Sequence, residues 1–397
     1  MASIAVVGTA AQSVIVVGGG PMGLASAWAL AKRGASVTVV ERFEVVNALS
    51  SHGGFTRVIR QAYHEGSDYV PLIQESETEW LALGRRAKQT LLVQTGLLEF
   101  GAPEHPELID AISVCERMQL DYEVTDAATT RRRWPFTMPD DWISCFTPSG
   151  GYLRVRQCME AFRSEAERCG VSVLEGVAVQ RVAQTGKRVG VVLDDGRQLW
   201  ADRIVVTAGP WLPSLLPPRL RQGLVRLRRV LAWSKPQGGR DEALRRLPVW
   251  AAFLPHGFFY GFPLSDEGVT GVKLACHTNF LAEEAGVLSQ PVDPDRVDRD
   301  AGAKELASLA EILAAHLPAA VGPWAHHTVC MYTSTPSWDF LIDRLPDDPR
   351  VVIAGGFSGH GFKFAPAVGR LVAELVLGEG GPRADFSFAR HLRDAGG

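Results

Sequence analysis

The sequence predicts an α/β fold from three observations. A complete βαβ unit lies close to the N-terminus, a second strand leads through a glycine-rich loop into a helix close to the C-terminus, and the chain has 397 residues. That length suits two domains or one elaborate one. Hydrophobic residues make up 46% of the chain and charged residues 21%, which is typical of an ordinary globular protein.

Charge and cysteine usage exclude several classes of partner. The formal net charge of −3 gives no electrostatic case for nucleic acid or an anionic membrane, and no stretch reaches the roughly 18 apolar residues of a membrane span. Six scattered cysteines without C-x-x-C spacing predict free thiols in the cytoplasm and no metal or dithiol centre. The basic stretches 131–133 and 219–229 are expected to be solvated surface.

The βαβ unit begins with a β-branched run at 14–17, which predicts a buried strand. Residues 24–32 carry Ala and Leu at helical spacing, and Gly34 is placed to cap the end of that helix. The run 37–40 predicts the second strand, which leads into Glu41.

The remaining elements follow from the same patterns. Helices are predicted at 71–86, 156–169, 302–316 and 367–377, and strands at 91–100, 171–174, 178–182, 189–193, 204–207 and 351–354. Residues 258–262 and 269–274 predict a hairpin around a polar turn. Four prolines between 210 and 218 break the chain and mark a candidate domain crossing.

The loop inside the βαβ unit reads Gly18-x-Gly20-x-x-Gly23. The first glycine permits a tight turn, the second lets the backbone approach a pyrophosphate, and the third lets the helix pack on the sheet. Glu41 is placed to accept hydrogen bonds from ribose hydroxyls and would repel a 2′-phosphate, which disfavours NADP. The alternative is a glycine-rich turn without a ligand, but the strand–loop–helix context favours a Rossmann-type dinucleotide site.

The choice between NAD and FAD rests on the end of the chain. The strand at 351–354 enters a second glycine-rich loop, 355–361, and then a helix. A second helix N-terminus directed at the ligand would stabilise negative charge on a reduced flavin ring. An ordinary strand–loop–helix connection is the alternative. An NAD dehydrogenase is the weakest option, because it leaves this second glycine-rich segment without a role.

Four segments carry a resemblance to a known family: 56–60 (TRVIR), 260–263 (YGFP), 330–333 (CMYT) and 357–364 (FSGHGFKF). Across about 14–377 the chain resembles the monomeric sarcosine oxidase and N-methyltryptophan oxidase family, within the D-amino-acid-oxidase-like flavoproteins. The resemblance implies oxidation of a secondary amine to an imine, with O2 reduced to H2O2. It also implies a discontinuous FAD-binding domain, expected at 13–90, 150–215 and 331–390, and a substrate domain on a mainly antiparallel sheet, expected at 91–149 and 216–330.

The resemblance also implies residue roles. Cys330 matches the cysteine that is bonded to the flavin, Lys273 the lysine that promotes reaction with O2, and Arg60 with Lys363 the pair that holds the substrate carboxylate. Arg57 matches a cation near the flavin ring, while Tyr260, Tyr332 and His277 match residues of the substrate pocket. The other implied cofactor contacts are Pro21, Met22, Arg42, Ser51, Thr56, Val179, Gly209, Trp211, Gly356, Phe357, Ser358, Gly359, His360 and Gly361.

Each role has a structural alternative. Cys330 suits a buried thiol, and either arginine suits a structural ion pair. The tyrosines and His277 suit core positions. A lysine inside an apolar strand, as at Lys273, is costly without a function.

Two positions depart from the family pattern. Gly53 stands where a second histidine is common, and Ala251 stands where a pocket methionine is common. Both changes remove side-chain volume, so they favour a bulkier or cyclic substrate over sarcosine. The hairpin before Lys273 is also about two residues longer than usual.

Three functions therefore stay open at this point. The first is an FAD-dependent oxidase of N-methyl or cyclic amino acids, acting as a monomer or small homo-oligomer. The second is a flavin-dependent dehydrogenase that passes electrons to a carrier. The third is a flavin-binding redox module without turnover. The presence of Lys273, Arg60 and Lys363 together argues against the redox module without turnover.

Overall fold

The βαβ unit predicted from the sequence is present in a computed structural model, which describes residues 11–279 and 291–396. Strand β1 (Ser13–Val17) leads into helix α1 (Pro21–Ala31) and strand β2 (Ser36–Val40), and the two strands pair in parallel. The helix starts earlier than predicted because Pro21, with its preset φ, takes the first helical position.

These strands lie at the centre of a six-stranded sheet. Its order is β19-β20-β13-β1-β2-β9, and all neighbours except β19 and β20 are parallel. The further members are β9 (Ser172–Leu174), β13 (Arg203–Val206), β19 (Leu341–Leu345) and β20 (Asp348–Gly355). Both faces are buried, which explains the near-continuous apolar sequence of these strands.

Helices cover one face of this sheet. Side chains from α1, α2 (Val70–Ala87), α5 (Val155–Arg168) and α9 (Ala365–Leu377) form its apolar core. The other face packs on a three-stranded sheet of β10 (Val179–Thr185), β11 (Arg188–Leu193) and β12 (Gln198–Ala201), with α6 (Leu212–Leu215) and α10 (Phe388–Ala395). The glycine-rich loops that follow β1 and β20 therefore lie at the same edge of the sheet.

An eight-stranded, mainly antiparallel sheet forms the second large layer. Its order is β18-β14-β17-β16-β15-β5-β7-β6, and only β5 and β15 pair in parallel. The strands are β5 (Leu97–Gly101), β6 (Glu123–Asp126), β7 (Ile143–Thr147), β14 (Val225–Ser234), β15 (Val249–Leu254), β16 (Gly257–Ser265), β17 (Gly271–Asn279) and β18 (Trp324–Ser334). The predicted hairpin is β16–β17.

The two faces of this sheet differ in chemistry. Leu98, Phe100 and Leu274 pack against α8 (Ala303–His316) on one face. Alternate residues, such as Glu99 and Tyr260, point to the opposite face. Polar groups are therefore concentrated on the face without the helix.

The remaining elements complete the two layers. A small sheet of order β3-β8-β4 contains β3 (Thr56–Ile59), β4 (Leu92–Gln94) and β8 (Gly151–Arg154). The predicted strand 91–100 is thus two strands, because Gly96 adopts φ +76° between them. The other helices are α3 (Pro106–Arg117), α4 (Ala127–Arg133) and α7 (Asp241–Arg245).

One sequence expectation is wrong within the basic stretch 219–229. Residues 131–133 are exposed as expected, but Arg229 is only 1% exposed. It lies in β14 opposite Cys330, and its Nε donates to the His277 carbonyl at 2.8 Å. A strand inside a sheet buries alternate residues whatever their charge, and counting charges along the chain does not detect this.

The proline-rich segment 210–218 carries the chain from β13 in the six-stranded sheet to β14 in the eight-stranded sheet. The domain limits stay a prediction, and the expected limit after residue 330 falls inside β18. No helix among the described residues is long and apolar enough to cross a membrane. Within the same residues, no cluster of His, Cys, Asp and Glu could hold a metal ion.

Candidate active site

A cavity of about 520 Å³ is lined by residues of both large sheets. One part is bordered by the loop after β1, the end of β2 and residues 207–211. The other is bordered by the cavity-facing residues of β5, β15, β16, β17 and β18 and by the loop after β20. Most of the residues predicted for the cofactor and the substrate therefore share one continuous space.

The glycines of the first loop differ in what surrounds them. A β-carbon on Gly18, which has φ +97°, would lie 2.5 Å from the Thr207 carbonyl oxygen, and one on Gly23 would lie 1.8 Å from the Gly18 oxygen. Gly20 instead faces the cavity, where the nearest atom to an added β-carbon would be His52 Nδ1 at 3.9 Å. The first and third glycines thus shape the turn, and the second leaves room for a ligand. Pro21 and Met22 also line the cavity.

Glu41 lies at the carboxyl end of β2 in the cavity wall. It accepts hydrogen bonds from the backbone N–H groups of Gly19 at 2.6 Å and Phe43 at 2.9 Å. Burial raises the pKa of this carboxyl, while those two hydrogen bonds lower it. Each oxygen keeps capacity for a further bond, so ribose hydroxyls remain suitable donors.

At the outer end of the region around Glu41, Asp295 contacts Arg42 and Trp211, and the sequence did not predict this contact. Arg42 forms a 2.8 Å ion pair with Asp295, which also accepts from the Trp211 indole at 2.9 Å. The guanidinium lies 5.2 Å from the Trp211 ring centre. Asp295 comes from a distant part of the chain, and no local motif marks it. Ser51, Val179 and Gly209 line the same region.

The second glycine-rich loop also borders the cavity, along 356–361 and at Lys363. Gly356 and Gly359 have φ of +60° and +83°, and even Ser358 has φ +48°. A β-carbon on Gly359 would lie 2.3 Å from the Tyr332 ring. The loop thus needs glycine to pass close to Tyr332.

His360 in this loop lies between Tyr63 and Trp338. Its Nδ1 lies 2.5 Å from the Tyr63 hydroxyl, and its Nε2 lies 3.0 Å from the Trp338 carbonyl oxygen. Burial lowers its pKa to about 4, so the ring is neutral at physiological pH. Phe357 and Gly361 lie beside it on the cavity wall.

Arg60 and Lys363 are brought together, as the sequence predicts. Both are buried on the cavity wall, with their charged groups 4.3 Å and 5.1 Å from the Tyr63 ring centre. Arg60 Nη2 donates to both Glu65 oxygens at 2.6 Å, whereas Lys363 donates to the His360 carbonyl at 2.8 Å and has no carboxylate partner among the described residues. The structural ion pair that the sequence left open for either arginine is therefore present at Arg60.

Burial and the neighbouring Arg60 shift the pKa of Lys363. Burial and, to a smaller extent, the charge of Arg60 lower the pKa of Lys363 to about 7, and Glu65 partly opposes them. The lysine is therefore poised between its charged and neutral forms, and an incoming anion would favour the charged form.

Arg57 differs from Arg60 in its partners. Its guanidinium donates to the backbone carbonyls of Thr56 at 2.8 Å, Ser51 at 2.9 Å and Gly53 at 2.5 Å. No ion pair to it is found among residues 11–279 and 291–396. The charge of Arg57 is thus fixed in the cavity wall without a compensating carboxylate.

Lys273 and Thr56 lie behind the cavity wall rather than on it. The Lys273 ammonium group donates to the Thr56 carbonyl at 2.7 Å and to its hydroxyl at 3.2 Å, 4.5 Å from the Phe262 ring centre. Lys273 is 2% exposed, and burial holds its pKa well below the usual value, with Arg57 adding to the effect.

The pocket residues of β16, β17 and β18 lie together on the wall. His277 Nδ1 lies 3.3 Å from the Tyr332 hydroxyl, and burial holds the pKa of His277 well below its usual value. Burial raises the pKa of Tyr260 to about 12. Cys330 is buried beside both tyrosines. His277 and the two tyrosines are therefore polar but uncharged, and Cys330 lies beside them as a free thiol.

The two departures from the family pattern have different outcomes. Ala251 lines the cavity, and the effect of its small side chain on the pocket stays a prediction. Gly53 is not a lining residue, and a β-carbon there would lie 2.6 Å from the Ala48 carbonyl oxygen. The expectation that Gly53 enlarges the substrate pocket is not supported, because the glycine faces its own loop.

Comparison with known proteins decides the family. Residues 13–375 match the family model described as FAD dependent oxidoreductase (DAO). The chain belongs to this family.

Similar proteins extend over nearly the whole chain. It is 33% identical to monomeric sarcosine oxidase of Bacillus sp. (strain B-0618), over 92% of each chain. It is 30% identical to N-methyl-L-tryptophan oxidase of Yersinia pestis (strain Pestoides F), over 95% of this chain and 98% of the other. The solved structure of NikD, an unusual amino acid oxidase essential for nikkomycin biosynthesis, is 25% identical with a TM-score of 0.79, over 95% and 97%.

As a member of the FAD dependent oxidoreductases, the protein has a cavity that fits this cofactor. Gly20 and Gly209 leave open space where a β-carbon would otherwise stand; the nearest atom to one on Gly209 would be Ser51 Oγ at 4.0 Å. His52 Nε2 is buried without a hydrogen-bond partner among the described residues, and it lines the same space. The donor set of backbone N–H groups, a carboxylate and arginines suits a pyrophosphate joined to ribose.

Sequence reasoning missed four acidic residues of the cavity wall: Asp194, Asp295, Glu65 and Glu99. Glu65 follows Arg60 by five positions, and that spacing alone was a possible signal for an ion pair. Glu99 interrupts the apolar run 97–101, where a charged residue is costly unless it has a role.

Proposed function

We propose that this FAD-dependent oxidoreductase oxidises a secondary amine that carries a carboxylate, such as an N-methyl or cyclic amino acid, to an imine. O2 is the proposed electron acceptor and H2O2 the product. The observation that carries the proposal is the pair of buried cations, Arg60 and Lys363, in the cavity wall. Relatives named for sarcosine and N-methyl-L-tryptophan support the same substrate class.

The cofactor site proposed here has two ends. Gly18, Gly20 and Glu41 would hold the pyrophosphate and ribose, while Arg57 and the loop 356–361 would border the flavin. Cys330 is the proposed point of covalent attachment, since it is buried on the cavity wall beside Tyr260 and Tyr332. When bound, FAD supplies the two-electron oxidation of the substrate and the reduction of O2.

The chain's own residues would bind and orient the substrate. Lys363 and the part of Arg60 not held by Glu65 would bind the carboxylate through charge-assisted hydrogen bonds. His277 and Tyr260 are uncharged, so neither would hold the reacting nitrogen as a charged ammonium, and both are compatible with the neutral amine that can be oxidised. The imine product would then hydrolyse in water.

Lys273 is the proposed O2-promoting residue. Its ammonium form, held by Thr56, would stabilise the negative charge that develops as O2 takes up an electron. Arg57 lies close enough to lower its pKa, so the two cations are neighbours. We further propose a cytoplasmic protein that is a monomer or small homo-oligomer.

An anaerobic substrate screen tests this function. Purified holoenzyme is mixed with N-methyl and cyclic amino acids, and bleaching of the flavin absorbance is followed. We expect bleaching by at least one of them, and one H2O2 for each bleached flavin when air is admitted. Bleaching without peroxide would indicate that the protein is a dehydrogenase that passes electrons to a carrier. No bleaching by any secondary amine would contradict the proposal.

A further inference from the structure

Glu99 is a buried carboxylate with no role in the proposed amine oxidation. It lies in β5, is 1% exposed and lines the cavity. Neither carboxylate oxygen has a hydrogen-bond partner among residues 11–279 and 291–396. A buried carboxylate without donors is costly and rare in native proteins.

The neighbours of Glu99 do not satisfy it. In the sheet it lies beside Ala251 of β15 and Cys145 of β7. The nearby guanidinium of Arg60 is already held by Glu65. Burial raises the pKa of Glu99 to about 7, although Arg60 lowers it. Because Ala251 carries only a methyl group, the carboxylate is left open to the cavity on that side.

The sheet register shows which end of the cavity Glu99 occupies. Glu99 pairs with Ala251, and Ala251 pairs with Tyr260, so the three residues form one row on the cavity face. At about 4.8 Å per strand, Glu99 lies roughly 10 Å beyond Tyr260. Cys330 lies on β18, at the other side of β16. The end near Glu99 is therefore distant from the proposed flavin attachment point.

A group that reaches Glu99 therefore belongs to the substrate rather than to the cofactor. That group must donate hydrogen bonds or carry positive charge, since an ionised carboxylate only accepts. We propose that Glu99 recognises a second nitrogen of the substrate, an ammonium or guanidinium group at the end away from the oxidised amine. This assignment rests on the proposed amine oxidation and narrows the substrate class to basic N-methyl amino acids.

The test compares substrates that differ only in the terminal group. Nα-methyl-lysine and N-methyl-2-aminoheptanoate have side chains of equal length, and one ends in an ammonium group and the other in a methyl group. We expect kcat/KM to be roughly 10- to 100-fold higher for the lysine derivative in the wild type, as a charged hydrogen bond provides. In Glu99→Gln that preference should be lost, chiefly because kcat/KM for the lysine derivative falls.

Two further variants make the result specific. Glu77→Gln removes another buried carboxylate, one that is hydrogen-bonded by Gln61 and Gln94 outside the cavity, and should keep the preference. Glu99→Asp retains the charge on a shorter side chain and should keep part of the preference for the basic substrate. This variant also tests the role of Glu99 if Glu99→Gln folds poorly. Nα-methyl-arginine extends the comparison to a guanidinium.

The outcomes separate this inference from the proposed function. Equal kcat/KM for the basic and apolar substrates, or a preference that survives in Glu99→Gln, would overturn the role of Glu99 while leaving amine oxidation intact. Failure of these substrates and of all other secondary amines to bleach the flavin would overturn the proposed function, and this inference with it.

Discussion

Arg60 donates through Nη2 to both carboxylate oxygens of Glu65, at 2.6 Å each, inside the wall of the cavity. Burial by itself would raise the pKa of Glu65, but Arg60 and its neighbours hold it well below the usual value. The two charges thus depend on each other in a site with little water. Because this contact occupies Nη2, it also limits the part of the Arg60 guanidinium that remains to bind a substrate.

We predict that Arg60→Met destabilises the protein by up to about 3 kcal/mol, because it leaves the carboxylate of Glu65, whose side chain is 18% exposed, without this partner. Urea unfolding of the holoenzyme measures the free energy of unfolding. The control is the double variant Arg60→Met/Glu65→Gln, which should regain most of the loss. If the double variant is as unstable as the single one, the ion pair is not the cause.

We predict that carboxylate binding weakens above about pH 7, because the pKa of Lys363 is about 7 and only its charged form attracts the anion. The charged form is present below that pKa and is lost as the pH rises through it. Titration of acetate or benzoate, followed by the flavin spectrum, should show a constant Kd below pH 7. Above that pH, Kd should rise by up to about tenfold per pH unit.

Two variants identify the titrating group. Glu99, whose pKa is also about 7, would repel the anion over the same pH range, so the profile is measured in Glu99→Gln as well. Lys363→Met in that background should bind more weakly below about pH 7, approach the binding of its background above that pH, and lose the pH dependence. A dependence that persists in the double variant would mean that another group titrates.

We predict that Cys330 is bonded to the flavin. Acid-denatured wild-type protein should retain the yellow colour, and Cys330→Ser should release FAD into the supernatant. The control is Cys169→Ser, which changes an exposed thiol and should retain the flavin. Free FAD from denatured wild-type protein would show that the cofactor is held without a covalent bond.

We predict that Lys273→Met slows reoxidation of the reduced flavin by orders of magnitude and alters anaerobic reduction much less. The variant keeps length and removes the charge held by Thr56. Because burial holds the pKa of Lys273 well below its usual value, wild-type reoxidation should also slow as the pH rises through that lowered pKa.

Stopped-flow spectroscopy separates the two half-reactions. Lys235→Met, at an exposed position just beyond β14, is the matched control and should reoxidise normally. Equal reoxidation rates in Lys273→Met and wild type would remove Lys273 from the reaction with O2.

We predict that Ala251→Met narrows the substrate range. Ala251 lines the cavity, so a longer side chain there should lower kcat/KM for proline, pipecolate and larger N-methyl amino acids more than for sarcosine. Steady-state kinetics on this series measures the change. A uniform loss for all substrates would indicate a general defect rather than a smaller pocket.

Much of the cofactor region could be predicted from the sequence because its signals are local. Gly18, Gly20 and Gly23 follow one strand within six residues, so their spacing is visible in the sequence itself. The loop after β20 is marked in the same way by Gly356 and Gly359. The residues of each motif lie within a few positions of one another in the chain, so the family and the fold class could be predicted without coordinates, and both are confirmed.

The tertiary structure alone decided which partner each charged side chain meets. Arg229 is buried in a stretch that its composition suggested was solvated, Lys273 lies behind the cavity wall, and Gly53 faces its own loop. Glu99 became a site residue only when β5 was placed beside β15. The sequence by itself determined the βαβ unit, the glycine-rich loops and the residue types of the site. The charges that tune one another come from segments far apart in the chain, and their distances and burial exist only once both sheets have packed.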